Sequence, residues 1–595
     1  MKQNSHPIAA AGIVPSTHLD REAAAWRAEL VGAACSWLIL LGGIVTIGVA
    51  LYMVVTCYTS LPWSDGWTQI FAAAEGRRPF SLSWLWQQHN EHRLLIPKLF
   101  LGLDLRLFAA TQKLLLAAIF TTQLLLLGLL SWSMRALGGW RGALWRTATG
   151  LAAFCLFSPT QWENLTWGFQ LCFVLPGLFA TLSFVGLLLY WRQASPSSGW
   201  KFVFLSLAAA LAGMCSLANG LLLAPLLAAA ALRLRLQRRV AVTYATTAVV
   251  TTLLYFHGYK RPLQNSNPVV SLHSPLKLLA YIATYFGSSW GYGSSWTHHN
   301  LQIALYAGLA GLGIAIFFLV RYRCRMETSQ AFTVQLLLLL LFCLGTAFLT
   351  ALGRLASGDS QAFASRYQTV ALLFWWCLGC LLMSAAIGSS RRLALPAMQV
   401  LLAGVLLRGA DLARFPLRDA REHAFQQRAA AAALLSAVYD REQIARAFYL
   451  PDAVWDAVPY MRTRRLSIFA EDSRPGLGTP IDVWTQMAAQ GQCQSAVQSV
   501  SYISSEDGAG LRVTGWAWDL TRRKPPSYIA VVANGRIVGL GAMGDWRPMV
   551  RAAHPYMKTS FIGFTAYAKG VGPATSISLY AVLDAGRRLA CPIEF

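Results

Sequence analysis

The sequence predicts a mainly α-helical polytopic membrane protein of about eleven spans, followed by an extracytoplasmic helical segment and a small C-terminal β-sandwich. Three observations point there. Of 595 residues, 55% are hydrophobic and only 13% are charged. The apolar residues fall in runs that, at 1.5 Å per residue, cross a hydrocarbon core of roughly 30 Å as helices. Toward the C-terminus the hydrophobic period shifts from helical to two.

Residues 1–30 read as a cytoplasmic tail without the short apolar core and cleavage site of a secretory signal, so the first span serves as an uncleaved anchor. Spans are expected near 31–57, 113–132, 146–160, 170–190, 202–217, 220–232, 240–256, 301–320, 331–350, 367–388 and 394–408. The stretch 202–232 reads as a hairpin turning at Ala218-Asn219-Gly220, because Lys201 and the arginines of RLRLQRR (233–239) belong on one side. Arginine and lysine cluster at 135–146, 191–201, 233–239, 321–325 and 389–392, which are alternate loops. The positive-inside rule places these in the cytoplasm, with the N-terminus, and leaves the C-terminal tail outside. The formal charge of +24 is therefore a topology signal and not a nucleic-acid footprint.

The transmembrane domain, 31–408, carries two long outer loops. In 58–112, PFSLSWLW and LLIPKLFLGLDLRLF mix apolar and polar positions as interfacial helices do. In 257–300, a similar helix starts near Ser274 and Pro275. Residues 409–490 read as a helical segment with charges on one face, ending in a linker at 471–490. Residues 491–595 read as an Ig-like sandwich with strands in VTGWAWD, YIAVVANGRIVGL and SISLYAVL and a hairpin turn at Asn534-Gly535. Cys493 and Cys591 bracket that domain, away from the nine cysteines in or beside spans, and pair as a disulfide in an oxidising compartment.

Between residues 31 and 408 there are seven acidic side chains: Asp65, Glu75, Glu91, Asp104, Glu163, Glu327 and Asp359. All but Glu327 map to the outer side, as do eight of the ten histidines. Ionisable groups beside a membrane are costly and count as functional candidates. The polar outer stretches SDGW (64–67), HNEHR (89–93), QWENLTWGFQ (161–170), ANG (218–220), GSSWGY (287–292) and GRLASGDSQAFASRY (353–367) supply carboxylates, arginines and tryptophans. Sugars stack on aromatic faces and phosphates favour the arginine fork, so this set suits a lipid-phosphate-linked sugar.

The layout resembles the GT-C integral-membrane glycosyltransferases, in particular the bacterial lipopolysaccharide-core and arabinose transferase branch. The resemblance covers about residues 31–470 and lies in the acidic first outer loop, ENLTWGFQ, the arginine-to-SRY pattern at 354–367, and YLPDAVW…RRLSIF (449–469). It implies a polyprenyl-phosphate sugar donor, a cell-envelope glycan or lipid acceptor, and inversion without a covalent enzyme intermediate. It implies Asp65 as the general base or as ligand to a divalent cation. SDGW holds one carboxylate where that family often shows a pair, so a partner must come from Glu91, Asp104 or Glu163.

Charge and reach then suggest the remaining roles. Arg93, Arg354 and Arg366 meet the leaving phosphate, with His92 and Tyr367 as hydrogen-bond donors. Glu91 and Glu163 orient an arginine or bind a sugar hydroxyl, Asn164 joins them, and Trp67, Trp167 and Trp290 form a stacking wall. Each has a plainer alternative. Asp65 caps a helix starting near Trp67, Glu91 and Arg93 pair structurally, and the tryptophans belong to the interfacial belt. His89 with His92, and the His298-His299 pair, lack a third zinc ligand at telling spacing. Two other functions share parts of the pattern: a polysaccharide ligase, and a lipid or glycan transporter, which would carry polar mid-span residues and internal repeats.

Overall fold

The computed structural model of the chain describes residues 16–78, 80–193, 199–262, 267–292, 298–323, 325–326, 330–387, 393–470, 476–484, 486–487, 493–504, 509–571, 575–584 and 589–593. Glu327 and the basic stretch at 389–392 lie outside the described residues.

The described residues open with the long helix α1 (Ser16–Thr56), followed by a loop holding α2 (Thr68–Ala74), α3 (Leu82–Trp86) and α4 (Leu95–Leu107). The bundle continues through α5 (Lys113–Ala136), α6 (Gly142–Leu156), the short α7 (Trp162–Thr166), α8 (Leu171–Trp191), α9 (Trp200–Met214), α10 (Leu223–Arg233) and α11 (Arg238–Phe256). After α12 (Pro268–Leu272) and α13 (Pro275–Gly287) come α14 (His298–Tyr322), α15 (Ala331–Arg354), α16 (Gln368–Ile387) and α17 (Ala394–Leu412). Among the described residues, eight helical stretches are long and apolar enough to cross a membrane by length and composition. They contain α1, α5, α8, α11 and α14 to α17; α9 and α10 are shorter apolar helices, and α6 has 15 residues. The chain is a multi-pass membrane protein, with a helix at each expected span.

The α9–α10 hairpin forms because two glycines let backbones touch: a Cβ on Gly220 would lie 2.1 Å from the carbonyl carbon of Gly213. Its two ends return to one side, where Arg233 Nε donates to Arg323 O at 3.0 Å, just past α14. The helix α13, in the loop between α11 and α14, packs antiparallel along α14 through close backbone approach at Gly287 and Gly308, and still leaves Leu276 81% exposed. It is thus wedged against the bundle with one apolar face outward.

Beyond α17 the chain forms α18 (Arg414–Leu435), α19 (Arg441–Ala445), α20 (Pro451–Thr463) and α21 (Ile481–Trp484). The sheet that follows contains β1 (Gln486–Met487), β2 (Cys493–Ile503), β3 (Gly510–Asp519), β4 (Tyr528–Ala533), β5 (Arg536–Trp546), β6 (Phe561–Lys569), β7 (Ile577–Asp584) and β8 (Leu589–Ile593), with α22 (Pro548–Ala553) between β5 and β6.

The expected C-terminal β domain is present, and its described strands form a single eight-stranded sheet in the order β1-β8-β7-β4-β5-β6-β3-β2. Register shifts in the β2–β3, β4–β5 and β5–β6 pairs raise the local twist. The sheet curls until β2 meets β8, where Cys493 and Cys591 form the expected disulfide, Cα atoms 6.5 Å apart. Val513, Ile529, Phe564 and Leu579 fill the concave side, while Phe425, Ala429 and Ala433 of α18 cover part of the convex side with Ala542 and Tyr567. Asn534 and Gly535 make the predicted hairpin turn with φ of 51° and 73°.

Candidate active site

Asp65 lies on a 3-10 turn, Ser64–Trp67, between α1 and α2. Ser64 adopts φ 47°, and its N–H donates to Ala447 O at 2.7 Å, so the C-terminal helical segment pins the turn. Trp67 is fully buried among Ala430, Leu434, Ile444 and Val454 of that segment, where it anchors the turn. A stacking role for Trp67 is therefore corrected by its burial. The helix-cap alternative fails as well: α2 has Trp67 as its N-cap with no side-chain cap bond, and Thr68 Oγ1 donates to the main-chain oxygen of Asp65 at 2.7 Å. The Asp65 carboxylate is 35% exposed and faces His89, with Oδ1 3.5 Å from Nε2.

His89 and His92 exchange backbone hydrogen bonds of 2.9 and 2.8 Å around a turn in which Asn90 has φ 49°. That pairing sets both imidazoles on one side of the turn. Glu91 Oε1 accepts from Arg354 Nη2 at 2.5 Å and lies 3.5 Å from His92 Nε2. Ala218 N–H points at His92 Nδ1 at 3.4 Å, which assigns the proton of a neutral ring to Nε2, on the Glu91 side. Burial pulls the His92 pKa down to about 4, with Glu91 opposing the shift. His92 is therefore a neutral donor at neutral pH and not a cation for a phosphate.

The second half of the site joins the loop after α6 to the start of α16. Glu163 Oε2 accepts from Arg366 N–H at 2.9 Å and lies 3.5 Å from its Nη1, while Glu163 N–H donates to Ser365 Oγ at 3.1 Å. Asn164 is fully buried and donates to Arg366 O at 2.9 Å and Thr369 Oγ1 at 2.8 Å. Its described bonds tie two loops together. Tyr367 is buried and stacks on Tyr285 with centroids 5.3 Å apart. Burial works against the charged form of Arg366, but Tyr367, Glu163 and Asp65 together push its pKa up, so the Asp65 turn and the Arg366 loop share one electrostatic field.

Arg93 does not join this cluster as expected. It is 5% exposed and directs its guanidinium at three backbone carbonyls, Trp86 O at 2.8 Å, His257 O at 2.8 Å and Tyr255 O at 3.4 Å. It secures the ends of α3 and α11, and Glu91 pairs with Arg354 instead. Trp290 meets Trp375 edge-on at 5.3 Å. Of the expected wall only Trp167 adjoins the Asp65 turn, where its ring lies 4.3 Å from Trp63. Trp63 also packs on His423 at 3.9 Å, and Trp162 lies 5.3 Å from the same imidazole. Trp162 Nε1 donates to Tyr292 OH at 3.1 Å, and that hydroxyl donates to Asp419 Oδ2 at 2.8 Å. Trp63, Trp162, Tyr292, Asp419 and His423 were not among the expected site residues. WENLT, GSSWGY and the tryptophan before SDGW carry a signal for Trp162, Tyr292 and Trp63; His423 and Asp419 sit in a helix whose sequence reads only as amphipathic.

The residues around Asp65 do not make a cation cage. Asp65 and His89 approach each other, but among the described residues no three His, Cys, Asp or Glu side chains converge as a metal site would require.

No family model and no curated protein matches the chain. A solved structure similar to it is the crystal structure of ArnT from Cupriavidus metallidurans in the apo state, at 14% identity over 77% of this chain and 92% of that one, with a TM-score of 0.30.

Proposed function

We propose that this protein is a membrane glycosyltransferase that moves a sugar from a polyprenyl-phosphate donor to a cell-envelope glycan or lipid. In this reading the reaction takes place on the extracytoplasmic face of a bacterial inner membrane, with the N-terminus cytoplasmic and the C-terminal domain periplasmic. The observation that carries the reading is Asp65. It is a partly exposed carboxylate facing the His89–His92 turn, and among the described residues the neighbouring carboxylates Glu91 and Glu163 have arginine partners while Asp65 has His89. The basic loops at the opposite end of the bundle, around Arg192, Arg233 and Arg323, support the sidedness through the positive-inside rule.

In this reading the Asp65 carboxylate takes the proton of an acceptor hydroxyl as its oxygen attacks the anomeric carbon. The carbon–oxygen bond to the donor phosphate breaks, and the phosphate leaves with the electron pair. The anomeric carbon inverts and no covalent enzyme intermediate forms. Arg354 and Arg366, each 28% exposed, are held by Glu91 and Glu163 at the rim of the site, where the growing phosphate charge recruits their donors. Trp63 and Trp162, both partly exposed, supply the apolar faces for a sugar ring, and the buried Trp167 backs Trp63.

In purified, folded protein Asp65→Asn is expected to abolish transfer, whereas Glu75→Gln, which breaks only an exposed 2.7 Å pair with Arg77, leaves it intact. Mass spectrometry of envelope glycans from a deletion strain separates the competing functions. A glycan missing a residue of defined mass supports transfer; an intact but mislocalised glycan supports transport.

A further inference from the structure

The position of the sheet relative to the bilayer follows from α18. β5 descends along this helix: Leu540 N–H donates to Ser436 Oγ at 2.9 Å, the Cβ position of Gly544 lies 3.3 Å from Arg428 Nη2, and Arg418 Cζ sits 5.2 Å from the Trp546 ring. The α18 partners run from 436 through 428 to 418, toward the helix start at Arg414, which directly follows the apolar α17. Arg421 fixes the level from the other side. Its guanidinium lies over the Phe561 ring of β6 at 5.3 Å and the Tyr52 ring of α1 at 5.6 Å, and it donates to Tyr52 OH at 2.8 Å. Tyr52 is near the end of a span and 52% exposed on the outside of the bundle.

The connection from β5 to β6, residues 547–560, therefore continues past the membrane-proximal end of α18, level with the bilayer surface. Its sequence, RPMVRAAHPYMKTS, has no acidic residue. Met549 is 81% exposed and Tyr556 46%, beside Trp546 at 39%, and Arg551 and Lys558 are exposed around them. Apolar tips among cations at this height match an interfacial anchor, in which apolar side chains enter the acyl boundary while the basic ones meet lipid phosphates. We propose that the β5–β6 connection is a membrane-surface anchor that seats the sheet on anionic phospholipid through Met549, Tyr556, Arg551 and Lys558.

The test uses full-length protein in nanodiscs of phosphatidylcholine and phosphatidylglycerol, with a fluorophore on Met549→Cys and, separately, on Tyr502→Cys of the exposed strand β2; identically treated parent protein gives the background. The label at 549 is expected to lose quenching by aqueous iodide and gain quenching by lipid-borne doxyl groups, and the label at 502 to do the reverse. Introducing Arg551→Glu and Lys558→Glu together is expected to restore iodide access at 549. Equal iodide quenching at 549 and 502 would overturn the anchor. So would shielding at 549 that persists in lipid-free amphipol, which would mean a protein surface covers it. Unchanged shielding in the Glu variants would overturn the role of lipid phosphates.

Discussion

Asp65 and Glu163 sit in similar settings, each on a short helical turn at the same end of the bundle, and they are used differently. Glu163 accepts the Arg366 main-chain N–H at 2.9 Å and lies beside its guanidinium, and its neighbour Asn164 binds two groups of the same segment. Asp65 faces an imidazole at 3.5 Å, while its turn is held by main-chain hydrogen bonds, by Thr68 Oγ1 on the Asp65 main-chain oxygen and by the packing of Trp67. A carboxylate that stitches loops has its lone pairs occupied; one whose turn is fixed by other groups keeps them for chemistry. In the proposed reading, Glu163 serves the fold and Asp65 serves the chemistry.

The largest effect expected from breaking this contrast is at Asp65. Asp65→Asn should lower the transfer rate by about 10²–10⁴-fold, the range associated with a lost general base, with little change in melting temperature. Glu163→Ala should behave oppositely, costing about 2–3 kcal/mol of stability because an Arg366 donor loses a charged acceptor. Thermal unfolding checks it, and transfer per folded molecule should fall less than in Asp65→Asn, because Arg366 stays at the rim without its carboxylate anchor. A third test sharpens the role of the histidine turn. The folded pKa of His92 is about 4, below the ordinary value of 6.5, so the unfolded chain binds a proton that the folded chain does not as pH falls from 6.5 toward 4. Stability should fall through that window and level off below it, and His92→Gln should flatten the slope in melting curves taken across it. The smallest effect belongs to Trp290, whose edge contact with Trp375 leaves it 40% exposed: Trp290→Ala should cost about 1 kcal/mol and leave transfer near normal.

The membrane architecture was legible because apolar runs and alternating basic loops obey the physics of the bilayer locally, one span at a time. The curled sheet was less so. All six residues of β4 are buried, since the sheet is covered on both faces, and this erases the alternation that distinguishes a half-covered sandwich strand from other buried strands. The disulfide pair was readable from its isolation in the tail, but not that it would join strands near opposite ends of one sheet.

The site was legible in residue type more than in pairing. HNEHR announced its charges, yet Arg93 serves the carbonyls of Trp86, Tyr255 and His257, and Glu91 finds Arg354 263 positions away. Which guanidinium satisfies buried carbonyls and which meets a carboxylate depends on where distant helices end. His423 was hidden for the same reason: only the folded chain brings α18 against Trp63.

Chemical rescue tests the assignment of Asp65 most directly. In purified protein reconstituted with a polyprenyl-phosphate sugar and envelope acceptor, Asp65→Ala should show negligible transfer, and added formate should restore a measurable, concentration-dependent fraction of it by supplying the missing carboxylate. Transfer by Asp65→Ala at the parent rate, without formate, would contradict the account.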